Sequence, residues 1–220
     1  MIAILLRFLT RLSVICAVVL PFSGEGSAES YPSSSLTTSV ALSWPLAYVG
    51  GGSSGIKVID LSQPGFPIIG SYNTPGFVHN LAIRDSLLYV ADGSKGLLIL
   101  DVSVPEVVVP RGRYATSGMA KAIALSDDLA YVADYAYGFQ VIDVSEPSSP
   151  TYVAHSFDLG DIWALRVGPD GYLYIADVGN GVRIWDINNP SEPKGTGHID
   201  TAGYALDMEV KAGISFVADG

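Results

Sequence analysis

The chain has 220 residues, 49% of them hydrophobic and only 15% charged, with a formal net charge of −10. That charge repels phosphate backbones and no cluster of Lys or Arg offsets it locally, so nucleic acid is not an expected partner. The one cysteine, Cys16, precedes the folded region, which leaves no disulfide framework and no thiol for metal or nucleophile chemistry.

At the N-terminus, Arg7 and Arg11 come before the apolar run Leu12 to Phe22, and Gly26-Ser27-Ala28 follows with small residues suited to cleavage. This layout resembles a secretory signal peptide, and the run is well short of the ~20 apolar residues that cross a bilayer. Residues 1–28 are therefore expected to be removed, leaving an exported chain (periplasmic, cell-surface or extracellular) with no stable membrane span. Residues 29–45, rich in Ser, Thr and Pro, read as a linker.

From residue 46 to residue 220 one pattern recurs: apolar-Tyr-apolar, a short turn ending in Gly, an apolar run closing on Asp, then Ser or Asn and Pro. Tyr48, Tyr89, Tyr131 and Tyr174 anchor four copies and Phe216 a fifth, at steps of 41 to 43 residues. Asp60, Asp101, Asp143 and Asp186 follow each tyrosine at a constant distance of twelve residues. A fixed period in the 40s signals a repeat architecture.

Within a copy the apolar residues never hold a 3.6-residue period, so helices are not expected. The third copy divides into four strand candidates: Ala122 to Leu125, Leu129 to Ala133, Phe139 to Val144 and Thr151 to Phe157. The second and third are apolar at consecutive positions, as in strands covered on both faces, while the fourth is more polar. Such a unit is a four-stranded antiparallel blade between two like blades, and blades of this period build an all-β propeller, here of about four blades.

The strings Ile56 to Pro64 (IKVIDLSQP), Leu97 to Pro105 (LLILDVSVP) and Phe139 to Pro147 (FQVIDVSEP) resemble the LVIVD repeat of bacterial surface and exported proteins. The resemblance covers residues 46–220 and implies a β-propeller outside the cell, without implying a particular reaction. Two departures stand at the ends. The first copy has Gly51 where later copies have Asp92, Asp134, Asp177 and Asp219, and its first strand is hard to find; the last copy stops at Gly220, within a blade. The expectation is an incomplete ring, a fragment of a longer protein.

The Asp-x-x-x-Gly segments starting at Asp92, Asp134 and Asp177 read as hairpin turns, with Asp bonding backbone two residues on and Gly supplying positive φ, and not as a cation-binding ring. The Asp of each Asp-apolar-(Ser/Asn)-x-Pro segment reads the same way, as a strand-end cap. Gly51 to Gly55 matches a nucleophile-elbow pattern and Gly50 to Gly55 a dinucleotide-binding one, but the loop leads into a strand where both motifs need a helix. No metal site, cofactor or catalytic residue is expected.

His155 and His198 fall in fourth strands of different blades, near the rim. His79 opens an innermost strand and aligns with Lys121, Trp163 and Leu206 around the mouth of the central channel. The loops on that face also carry Phe77, Lys95, Tyr135, Tyr137, Asn180 and Tyr204. Aromatic side chains on rigid turns suit a protein or glycan ligand, so a binding or scaffold module is the leading expectation. A propeller-based hydrolase or lyase and a purely structural surface segment remain the alternatives.

Overall fold

Runs of apolar residues broken by turn chemistry fold here into successive antiparallel sheets of four. A computed structural model describes residues 37–157, 159–211 and 214–220, at Ala136 by its backbone alone. The signal segment expected at residues 1–28 lies outside these, as does the start of the linker. The linker's later part is different: Ser39–Ser43 is a strand, the missing first strand of the first copy.

Blade 1 comprises β1 (Ser39–Ser43), β2 (Leu46–Gly50), β3 (Ile56–Asp60) and β4 (Ile68–Tyr72). Blade 2 comprises β5 (Asn80–Arg84), β6 (Leu87–Ala91), β7 (Leu97–Asp101) and β8 (Val109–Tyr114). Blade 3 holds β9 (Ala120–Ser126), β10 (Leu129–Asp134), β11 (Phe139–Asp143) and β12 (Thr151–Ser156). Blade 4 holds β13 (Ile162–Val167), β14 (Tyr172–Asp177), β15 (Gly181–Asp186) and β16 (Lys194–Ile199). A two-stranded sheet of β17 (Ala205–Lys211) and β18 (Ile214–Asp219) follows. In each blade the strands pair in sequence order. Among the described residues the only helical pieces are three-residue 3-10 turns, Gly52–Ser54 and Tyr135–Tyr137.

The first strands β1, β5, β9, β13 and β17 pack side by side as the innermost row of an incomplete β-propeller. Apolar residues of the second and third strands interleave between blades. One interface holds Tyr48, Val58, Leu88, Val90, Leu98 and Leu100; the next Tyr89, Ile99, Val132 and Ile142; the third Tyr131, Phe139, Val141, Leu173 and Ile175. Each such side chain, fully buried, contributes about 1.5–3 kcal/mol, so the ring is held by stacking of neighbours. The repeat tyrosines Tyr48, Tyr89 and Tyr131 are buried at equivalent places. Tyr174 is half-buried, because the sheet beyond it has only two strands.

Two classes of aspartate shape the loops, and only one behaves as expected. Asp60, Asp101, Asp143 and Asp186 each accept the backbone N–H two residues on, at 2.8–2.9 Å, closing the turn between third and fourth strands. The second class is a correction. Asp92, Asp134 and Asp177 are completely buried, and in place of the backbone two residues on they bind backbone far along the chain. They accept the N–H of Gly76 (3.0 Å), Gly118 (2.7 Å) and Gly160 (3.2 Å), and Asp219 that of Gly203 (3.0 Å). Each ties the end of a second strand to the loop that carries the chain in from the blade before. The glycines of these turns behave as expected. Gly138 has φ 78, and the Ser156 carbonyl occupies the space a Cβ would need.

The residue six positions after each buried aspartate decides how well it is satisfied. Gln140 donates to Asp134 Oδ2 at 2.6 Å, and Arg183 Nε stands 3.7 Å from Asp177 Oδ2. Leu98 takes this place in blade 2, and Asp92 Oδ1 is left buried without a partner. Burial accordingly pushes the Asp92 carboxyl above its usual range, against the opposing pull of Thr74, the Gly76 amide, Arg113 and Lys95. Replacing Gln140 by Leu should therefore destabilise the protein by about 1–3 kcal/mol in urea unfolding, the cost of an unsatisfied buried acceptor. Leu98→Gln should cost less than that or stabilise.

Candidate functional site

At the inner end of three blades the ladder between first and second strands skips a residue. Asp134 pairs with Ala120 and Ala133 with Ala122, leaving Lys121 as the extra residue of a β-bulge. Trp163 is extra between Ile162 and Ala164, and Leu206 between Ala205 and Asp207. Bulges re-aim side chains, and these lie at one position of the repeat, just inside the buried residues Ala120, Ile162 and Ala205. In blade 2 the equivalent residue is His79, directly after buried Val78, with its N–H donated to the Ala91 carbonyl at 2.9 Å. The repeat thus presents one variable side chain per blade beside the axis: His79, Lys121, Trp163, Leu206.

The other candidates surround this row unequally. Tyr135 lies near Lys121, whose ammonium stands 5.5 Å from the centre of the Tyr135 ring. Phe77 and His79 rings are 4.7 Å apart. Tyr137, Trp163 and Tyr204 are exposed, as is Lys95 at its turn. Asn180 is occupied structurally, its amide donating to Asp177 Oδ1 at 3.0 Å. Tyr137 also holds the rim through its carbonyl, 2.5 Å from His155 Nε2. His155 and His198 lie in β12 and β16, as expected for outer strands.

Electrostatically the mouth has one cation in a half-buried setting. Among the described residues no carboxylate lies within ion-pair distance of Lys121. Burial lowers its pKa, with Asp161 acting in the opposite sense. His79 is held down to about 4, first by burial and then by the nearby Lys121 charge, so its imidazole is neutral at neutral pH. Among the described residues no three His, Cys, Asp or Glu side chains group as a metal site. The bulge itself escaped sequence reasoning, although the alignment of His79 with Lys121, Trp163 and Leu206 is its trace.

Stacked four-stranded antiparallel sheets with variable side chains at the inner end define a β-propeller. A model of the LVIVD repeat matches residues 36–74, 75–116, 117–156 and 161–201, and the chain belongs to that family. Solved structures agree on the fold. The structure of U3-55K superposes with a TM-score of 0.70 at 13% identity, over 93% of this chain and 64% of that one. The computationally designed Ika8 protein gives 0.63 at 12% identity, over 84% and 55%. The designed Ika4 protein gives 0.59 at 15%, over 70% and 92%. The chain thus spans less than two thirds of the length of Ika8 and of U3-55K. No curated protein matches the sequence.

Because the folded state keeps His79 neutral while the unfolded chain protonates near pH 6.5, the unfolded state binds more protons between pH 6.5 and 4. The contribution of His79 is complete above pH 6.5 and is lost as pH falls toward 4. Thermal melts of wild type and His79→Gln should therefore converge or cross in that window, with wild type losing more stability on acidification.

Proposed function

We propose that this chain is an exported binding module that holds a protein or glycan partner over the mouth of the propeller. The observation that carries this reading is the repeated bulge, which aims Lys121 and Trp163 from equivalent places on a rigid scaffold. Exposed Tyr135, Tyr137 and Tyr204 extend the same face. Aromatic residues, and a cation with no carboxylate partner among the described residues, are groups that anchor partners at interfaces, and a bulge inside a sheet presents them with little ordering cost. Export rests on the N-terminal charge, apolar run and small residues. Among the described residues no helix is long and apolar enough to cross a membrane.

Labelled protein added to cells of the source organism tests the reading. Saturable binding is expected, and Lys121→Ala with Trp163→Ala should weaken it at least tenfold without moving the melting temperature. Loss of binding after periodate treatment of the cells assigns the partner to glycan, and loss after protease treatment assigns it to protein. Wild-type binding by the double variant would remove the mouth from the site.

A further inference from the structure

A second concavity lies away from the mouth, on the flank of blade 4 that faces blade 3. It is an open groove of about 410 Å³, lined by Leu159, Arg183, Trp185, Gly195, Gly197 and His198. Its walls follow from the ladder of β15 with β16. Arg183 stands opposite His198, and Trp185 opposite Gly195, so a cationic and imidazole rung lies next to an aromatic one. The Trp185 ring is buttressed by Phe139 of blade 3, edge to face at 5.4 Å.

Comparison of the four blades shows what is particular here. At the rung of Trp185 and Gly195, the other blades place Ile59 opposite Ile68, Leu100 opposite Pro110 and Ile142 opposite Tyr152. Each of those third-strand residues is an aliphatic side chain, and each faces a residue that has a side chain of its own. Blade 4 reverses both choices: the residue beneath is a tryptophan, and the residue opposite has no side chain. A Cβ on Gly195 would sit at ordinary contact, 3.6 Å, from the indole. Trp185 consequently stays half-buried, with part of its surface open.

Arg183 supplies the polar part. Its Nε is buried without a hydrogen-bond acceptor, and the nearest carboxylate oxygen, on Asp177, is 3.7 Å away. A guanidinium carries five donors in a planar fork, and this one has donors to spare beside an imidazole. A flat apolar surface next to a fork of donors matches a pyranose ring that bears a carboxylate. In such a fit the sugar's C–H face would cover the indole, and the carboxylate would accept from Arg183 and His198. The volume is in the range of small-ligand sites and accommodates one or two sugar units.

We infer that this groove binds a uronic acid residue of an acidic saccharide, independently of the channel mouth. An acidic peptide is the less favoured occupant, since a carboxylate on a flexible chain makes no use of an uncovered indole face.

Titration of the whole chain with tri-galacturonate, followed by calorimetry and by tryptophan fluorescence, tests this. Saturable binding with a change in emission is expected, and Trp185→Phe should remove most of the emission change. Gly195→Leu covers the indole without touching Arg183 or Asp177, and should weaken binding at least tenfold at unchanged melting temperature. Arg183→Gln should do the same, while Lys121→Ala with Trp163→Ala in the mouth should leave the affinity as it was. Neutral tri-galactose should bind at least tenfold more weakly than tri-galacturonate. Absence of saturable binding, equal binding by Gly195→Leu, or tighter binding of poly-glutamate than of the sugar would each overturn the inference.

Discussion

The buried aspartates at the ends of β6, β10 and β14 are the constraint on which the rest of this propeller depends. A carboxylate with no solvent access is costly unless donors surround it, and each of these accepts an N–H from the loop that enters its blade. The bond joins the outside of one blade to the inside of the next. It fixes the loop that precedes the bulged residue, and so sets where His79, Lys121 and Trp163 stand. Apolar stacking stabilises the blades as a pile, but stacking is indifferent to small rotations. A charge-assisted hydrogen bond to one backbone amide is directional.

The same device shows how a repeat tolerates variety. Gln140, Arg183 and Leu98 occupy one position of the repeat with three different relations to the carboxylate, from a short hydrogen bond to none. Arg183 serves a second purpose because it is longer than the task requires: it partners Asp177 from a distance and leaves donors free in the flank groove. Both candidate sites are made of such blade-to-blade differences.

Much of the fold was legible in the chain, because a propeller blade writes its period into the sequence. The tyrosine and aspartate anchors located the second and third strands to within a residue or two, and the Asp-apolar-(Ser/Asn)-x-Pro turns were legible because their bonds are local. Ser39–Ser43 was hidden since its apolar run is only Val40, Ala41 and Leu42, set in a Ser/Thr-rich stretch. The partners of Asp92, Asp134 and Asp177 were hidden for another reason: the bond spans 16 or 17 residues and depends on the blades already being stacked. Of the candidate site, the alignment of His79, Lys121 and Trp163 was legible, while Asn180 looked available on its loop and is bonded to Asp177. The flank groove left only a Trp in a third strand and a Gly in a fourth, neither of which signals a concavity until the ladder register is known.

Amide hydrogen exchange measured residue by residue on Asp134→Ala tests the central claim most directly. If the carboxylate clasps the incoming loop, protection of the Gly118 amide should fall at least tenfold, while Tyr131 and Val141 in the strands of the same blade keep theirs. Unchanged protection at Gly118, or a uniform loss across blade 3, would contradict the account and leave apolar stacking as the sole determinant of where the mouth residues stand.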